Sequence, residues 1–432
     1  MAARAGRLTR RVAGRMALAL LLLALPATAR AGEEAPPEKL DQLDLAIGKA
    51  LFKRPWVPAP ASTRGDDGLG PLFDARSCAS CHPRDGRAPA RVENGTAGRG
   101  FVLVIARPDG SGDPVYGKRF QIDAVPGIPP EGIIGITDTP LPDGRIARKP
   151  HPEALGYGPL DPASGLSLRV APDLKGRGAL ARVPDSALLA IEQEQATGKD
   201  GVSGRARRIV RPDGTVELGR FGWKAAQPTL ASQSAEAFFL DLGLSNLYHP
   251  EPWGDCTVTQ AACRAAPHGT ANRTEGTADD ALEIGRPLLD RVVAYVASLP
   301  PPEPNALAEK DLKAGKRLFA ATGCAACHRP ALPTKDGGTA RMFTDLLLHD
   351  MGPGLADTMP EPGAGVSEWR TAPLAGISEA IALDTGLLHD GRARSVTEAI
   401  AWHGGEAAAA ARRFSTLSAP ERAALLQYVS SL

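Results

Sequence analysis

Two stretches of this chain repeat one apolar pattern. Leu289, Val292, Val296 and Leu299 fall on one helix face, and so do Leu425, Tyr428, Val429 and Leu432. The wording repeats as well, with Tyr295-Val-Ala-Ser-Leu299 against Tyr428-Val-Ser-Ser-Leu432. Pro287 suits the opening turn of the first helix, and Ser418-Ala-Pro-Glu421 spells a capping box for the second. Earlier in each half, Gly48-Lys-Ala-Leu-Phe52 matches Gly315-Lys-Arg-Leu-Phe319. Arg169-Val-Ala-Pro-Asp-Leu-Lys-Gly176 matches Arg370-Thr-Ala-Pro-Leu-Ala-Gly376. A looser pair is Gly222-Trp-Lys-Ala225 with Thr229-Leu230, against Gly391-Arg-Ala393 with Ser395-Val396. The order is the same throughout, which reads as an internal duplication. Leu299-Pro-Pro-Pro-Glu-Pro304 is a stiff linker, so the boundary falls near residue 302.

The halves differ in length. The first has a 21-residue insertion after its Leu-Phe helix and a long Gly/Pro-rich middle. There Phe101–Ala106 reads as a strand, and residues 207–210 and 215–218 flank Arg211-Pro-Asp-Gly214 as a hairpin. The expected fold is mainly α: two tandem units, 32–302 and 303–432, with β-hairpin and loop insertions in the first. Ahead of them, Arg4, Arg7, Arg10, Arg11 and Arg15 precede an apolar run at 16–25, then Pro26 and Ala29-Arg30-Ala31. Ten apolar residues span about 15 Å of helix, too short for a bilayer. Residues 1–31 are therefore read as a signal peptide cleaved after Ala31, which implies a periplasmic protein without a transmembrane anchor.

Charge and composition narrow the class. Six of the 50 basic residues and none of the 49 acidic ones lie in 1–31, leaving 44 against 49, a net of −5. That balance argues against a nucleic-acid partner. Gly 47, Pro 39 and 5% aromatics imply a loop-rich structure.

The six cysteines carry the chemistry. Cys78-Ala-Ser-Cys81-His82 and Cys324-Ala-Ala-Cys327-His328 are each a Cys-x-x-Cys-His pentapeptide, the attachment signature of a c-type haem. Two thiols become thioethers and the adjacent histidine is the proximal ligand. A single zinc site would need its four ligands converging, yet Cys78 and Cys324 are 246 residues apart and each motif is complete in itself. A thioredoxin-like pair needs no histidine after it. Two covalent haem c groups are expected. In each half the Gly-Lys-x-Leu-Phe helix precedes its motif, as the amphipathic N-terminal helix of a cytochrome c fold does. Cys256 and Cys263 remain, seven apart in the polar stretch 254–270, and read as a disulfide in an oxidising compartment.

Phe343-Thr-Asp-Leu-Leu-Leu-His349, Arg370-Thr-Ala-Pro-Leu374 and Leu388-His-Asp-Gly-Arg-Ala393 make the second unit resemble the di-haem cytochrome c peroxidase/MauG superfamily. Within it, the chain is most similar to di-haem oxidoreductases described as peroxidases or thiol oxidoreductases. Ser77-Cys-Ala-Ser-Cys-His82, Phe221-Gly-Trp-Lys-Ala225, Leu348-His-Asp-Met-Gly-Pro353, Glu368-Trp-Arg-Thr371 and Trp402-His-Gly-Gly-Glu-Ala407 carry that likeness. The first half departs from it, because Gly-Trp-Lys stands where the superfamily has Asp-Gly-Arg. The resemblance implies peroxide as substrate and a small soluble donor, a cytochrome or a cupredoxin. It also opens two rivals, MauG-like oxidation of a protein or thiol partner and a non-catalytic electron carrier. Some relatives join their domains with a calcium ion, and the sequence decides neither for nor against one.

In those peroxidases the distal ligand of the second haem lies fourteen residues past the histidine of His-Asp-Gly. Counting from His389 gives His403, with Met351 as the rival and His349 at a non-ligating position. The same count in the first half reaches Glu236–Ala237, where neither imidazole nor thioether stands. His151, His249 and His268 remain alternative sixth ligands for the first haem, but they sit in polar loops that read as solvated. The first haem is thus the expected reactive one. Glu236 and Asp241 are the candidate carboxylates for moving a proton, and Trp223 a candidate electron relay.

Overall fold

The computed structural model describes residues 41–62, 67–198, 200–270, 281–359 and 361–432, and the expected leader at 1–31 lies outside them. Leu40–Leu432 is a single compact unit. Its helices are α1 (Gln42–Lys53), α2 (Cys78–Cys81), α3 (Arg177–Ala181), α4 (Asp185–Thr197), α5 (Leu230–Leu242) and α6 (Ala261–Arg264), followed by α7 (Arg286–Ser298), α8 (Glu309–Thr322), α9 (Ile377–Ala382), α10 (Val396–Ala401), α11 (Ala408–Thr416) and α12 (Ala419–Ser431).

The repeated words become repeated packing. α1 lies against α7, and α8 against α12. Each crossing is made at the glycine of Gly-Lys-x-Leu-Phe. A Cβ on Gly48 would stand 2.0 Å from the Arg291 carbonyl oxygen, and one on Gly315 would stand 2.2 Å from the Tyr428 Cβ. No side chain fits either place. On α7 the stripe buries Leu289, Val292, Tyr295 and Val296, and on α12 it buries Leu425, Tyr428 and Val429. Pro287 opens α7, and the Ser418–Glu421 capping box starts α12. The next repeated words also take matching forms. Gly176 and Gly376 have φ of 73° and 90°, a left-handed conformation suited to glycine, and each caps the N-terminus of a short helix, α3 and α9.

The β content exceeds what the sequence pattern suggests, with strands in several small sheets beside the helices. Phe101–Ala106 is a strand, between Gly165–Val170 and Arg119–Phe120 in an antiparallel sheet. The hairpin at Arg208–Val210 and Val216–Leu218 also forms. A longer one, Ile133–Pro140 with Ile146–Glu153, carries Pro140, Pro150 and Pro152 and so lacks the usual strand signature. Cys256 and Cys263 are joined, Cα atoms 6.1 Å apart.

One apolar core crosses residue 302. Phe52, Leu180, Tyr295 and Val296 pack with Leu332, Met342, Leu346 and Leu347. Arg205 pairs with Glu368, and Arg169 and Arg207 pair with Glu361. Among the described residues no helix is long and apolar enough to cross a membrane.

The helix crossings can be tested directly. By helix propensity alone Gly315→Ala would stabilise α8 by about 1 kcal/mol. Against Tyr428 it should instead destabilise by about 1–3 kcal/mol, because the overpacked crossing must spread. Thermal unfolding should show a lower Tm, and a higher one would contradict the crossing geometry.

Candidate functional site

The second Cys-x-x-Cys-His motif follows α8 directly. Gly323, in a left-handed conformation, ends the helix, and Cys324–Ala326 turn as a 3-10 segment into Cys327 and His328. Beside it lies a cavity of about 250 Å³. Cys324, Cys327, His328, Trp369, His389 and His403 all line it.

His328 and His403 face one another across this space, ring centres 6.4 Å apart. Each is held by its Nδ1. His328 donates to the Phe343 carbonyl at 3.2 Å, and His403 to the Ala399 carbonyl at 2.7 Å. Both bonds leave Nε2 free, the arrangement a metal-ligating histidine takes. A metal held by both free nitrogens at about 2 Å would separate the ring centres by about 6 Å. Burial depresses both rings, His328 to about 4, so both are neutral, as ligation requires. Met351 also lines the cavity.

The first motif forms the short helix α2, capped by Ser77. His82 follows, its Nδ1 donating to the Gly86 carbonyl at 3.3 Å, and burial lowers it to about 4. Phe52 of α1 stands 6.4 Å from the His82 ring, ring centre to ring centre. Burial, with Asp241 adding to it, raises the Cys78 and Cys81 thiols to about 12.

The cap residues align the two halves. Thr229 accepts from Ser232 N at the start of α5, and Ser395 accepts from Glu398 N at the start of α10. His403 lies eight residues past Ser395, and Ala237 lies eight past Thr229. Gln233, Glu236, Ala237 and Asp241 are half-exposed along the mostly buried α5.

Both candidate carboxylates are held. Asp241 pairs with Arg119, and Glu236 accepts from Gln227 at 2.5 Å. Burial raises the Asp241 carboxyl, Arg119 works against it, and Glu236 adds to the rise. Beside them Asp74 is 3.7 Å from Arg119, and neither of its carboxylate oxygens has a hydrogen-bond partner.

The remaining histidines separate by environment. His151 pairs with Glu153 at 2.8 Å, and His268 bonds Thr270 at 2.7 Å. His249 departs from the solvated expectation. It is half-buried and stacks on Phe239, ring centres 4.5 Å apart. His389 stacks on Trp369 at 3.7 Å and stands edge-on to Trp223 at 6.4 Å. Trp223 is itself buried, its Nε1 donating to the Val170 carbonyl.

His349 is 2% exposed and lies between Asp345, 2.9 Å from Nε2, and Glu406, 2.8 Å from Nδ1. Cys327 Sγ is 3.6 Å from Nδ1. Among the described residues Cys327, Asp345 and His349 are one converging group of metal-capable side chains. It is not a set of oxygen donors of the kind calcium takes. Sequence reasoning placed no role on Asp345 or Glu406, since the two reach His349 only through folding.

The family model for "di-haem oxidoreductase, putative peroxidase" matches residues 163–432, and the chain belongs to that family. Membership makes it an oxidoreductase with haem cofactors. Among solved structures, Kuenenia stuttgartiensis hydrazine synthase pressurised with xenon is similar at 15% identity and a TM-score of 0.31, covering 98% of this chain and 100% of that one. No curated protein matches.

Burial disfavours a charged His349, but hydrogen bonds to Asp345, Cys327 and Glu406 outweigh it and push the ring from 6.5 to about 12. A raised folded-state value contributes stability that is complete below about pH 6.5 and is lost as pH climbs toward about 12. Urea titrations at about pH 6.5 and about pH 9 should therefore show a larger loss for the parent than for His349→Gln. Equal losses would mean that the ring is not held charged.

Proposed function

We propose that this chain is a periplasmic di-haem c-type oxidoreductase that reduces hydrogen peroxide at the first haem with electrons delivered through the second. Cys78, Cys81 and His82 attach and ligate the first group, within a unit spanning 32–302. Cys324, Cys327 and His328 do the same for the second, within 303–432. A haem iron transfers electrons when both axial positions are filled by protein, and reacts with peroxide when one is open or displaceable.

One observation carries this reading. His403 stands opposite His328 at 6.4 Å, while the matching position on α5 is Ala237, whose methyl cannot ligate. On this reading the second unit is closed, and the first offers no ligand at the matching position. Peroxide reduction consumes two electrons and two protons and yields two waters. Asp241 is the proton-carrying group, its carboxyl raised above the ordinary aspartate value by burial against the opposing pull of Arg119. Arg119 fixes its direction and places a cation beside the developing oxygen charge. Trp223, buried on the wall of the second cavity, is the candidate relay for electrons. The donor is a small soluble cytochrome or cupredoxin, reached after export and removal of 1–31.

Two substitutions test the asymmetry. His403→Ala should convert one haem, and one only, from low-spin to high-spin in the optical spectrum. Ala237→His should do the reverse to the other haem and abolish turnover with peroxide and a reduced cytochrome. A parent protein with two low-spin haems that never responds to peroxide or cyanide would be an electron carrier instead.

A further inference from the structure

Buried arginines in this protein follow a rule with two exceptions. Arg148, Arg207, Arg220 and Arg392 are each buried and each pairs with a carboxylate, Asp138, Glu361, Asp185 and Asp390 respectively. Arg177 and Arg370 are equally buried, at 7% and 5% exposure, and among the described residues neither has a carboxylate oxygen within 4.0 Å. Both line the cavity beside His328. Arg87 joins them there, half-buried, its Nε enclosed and without a partner.

Their hydrogen bonds are to backbone oxygens, and Arg87 also lies over the Trp223 ring, 5.3 Å from its centre. Arg87 Nη2 donates to the Leu388 carbonyl at 2.5 Å, and Arg177 Nε to the Asp173 carbonyl at 2.7 Å. Arg370 Nε donates to the Gly222 carbonyl at 2.8 Å and its Nη1 to the Thr371 carbonyl at 3.1 Å. These bonds orient the guanidiniums without a direct ion pair, and Asp173, Asp345 and Asp390 act on them only from beyond 4.0 Å. Asp173, Asp200 and Glu406 also line the cavity, but Glu406 is engaged by His349 and none of the three pairs directly with these arginines. Burial lowers Arg370 to about 9 and Arg87 to about 10. Buried charge without an ion-pair partner is costly, so a wall built this way requires an anionic ligand. Planar guanidiniums match carboxylates bidentately.

We propose that Arg87, Arg177 and Arg370 form the anchoring site for the paired propionate carboxylates of the haem in this cavity, and that Arg177 turns this edge toward the first haem unit. The second part rests on one short segment. The Pro172 carbonyl bonds the His82 ring, while Pro172, Asp173 and Arg177 line the second cavity. The wall of one site is the surround of the other. The assignment rests on the haem reading of the cavity but not on its reaction with peroxide.

The test is redox potentiometry of the exported holoprotein, each haem followed by its own absorption bands and no peroxide present. A nearby cation stabilises the reduced haem. Arg370→Gln should therefore lower the midpoint potential of the second haem alone and give it a pH dependence between pH 5 and 8 that the parent lacks, and Arg370→Lys should restore part of it. Arg177→Gln should lower the potentials of both haems. Parental potentials and pH profile in Arg370→Gln would overturn the anchoring site, and a shift confined to the second haem in Arg177→Gln would overturn the shared edge. If a variant fails to accumulate, infrared difference spectra of the parent carrying carbon-13 propionate carboxyls test the same anchoring. The carboxyls should stay ionised from pH 8 down to pH 5, and a protonated band in that window would refute the assignment. An inactive enzyme with these electrochemical signatures would sink the peroxidase reading and leave the arginine site standing.

Discussion

Two helices reach backbone contact only where one of them has no side chain, and the rest of this architecture hangs on that closeness. Gly48 sets α1 on α7, which brings Phe52 and Tyr295 to 5.5 Å and places Phe52 against His82. Gly315 sets α8 on α12, and Phe319 meets Tyr428 at 5.6 Å. Phe319 also meets Phe343 at 6.2 Å, and it is the Phe343 carbonyl that holds Nδ1 of His328. A missing methyl in a helix is thus linked, through two aromatic contacts, to the orientation of an imidazole.

Electrostatics then divide the two sites. Burial keeps His82, His328 and His403 neutral, and a backbone carbonyl at Nδ1 leaves Nε2 of His328 and His403 available. His349 is more fully enclosed but lies between two carboxylates, so it is charged and fully engaged. The same residue type in one cavity wall is a ligand candidate in one place and an ion-pair partner in another. Hydrogen-bond partners decide which.

Much of the scaffold was legible in the chain. The duplication, both closing helices with their stripes and caps, the strand Phe101–Ala106 and the hairpin around Asp213-Gly214 follow from local pattern. The prolines of Ile133–Pro140 and Ile146–Glu153 hid a hairpin, since a proline cannot donate to a ladder and the rule demotes such stretches. The stacking of His249 on Phe239 was hidden for a different reason. A polar loop is solvated unless a helix face happens to lie beneath it, and only the folded chain shows that α5 does.

By itself the sequence carried the attachment signature and the repeated pattern, because Cys-x-x-Cys-His and helical spacing are local and survive without knowledge of the neighbours. It also placed His403 and left its counterpart as Glu236 or Ala237, a count over one segment that Thr229 and Ser395 turn into Ala237. What only the tertiary structure decided is which charges are compensated. Arg177 and Arg370 read like any other arginines until the cavity gathers them with no carboxylate in ion-pair reach, and nothing near Asp241 in the chain announces Arg119, which arrives from 122 residues away. Spacing along a helix can bring only near neighbours together. Desolvation and long-range pairing depend on what the fold packs alongside, and no local pattern records that.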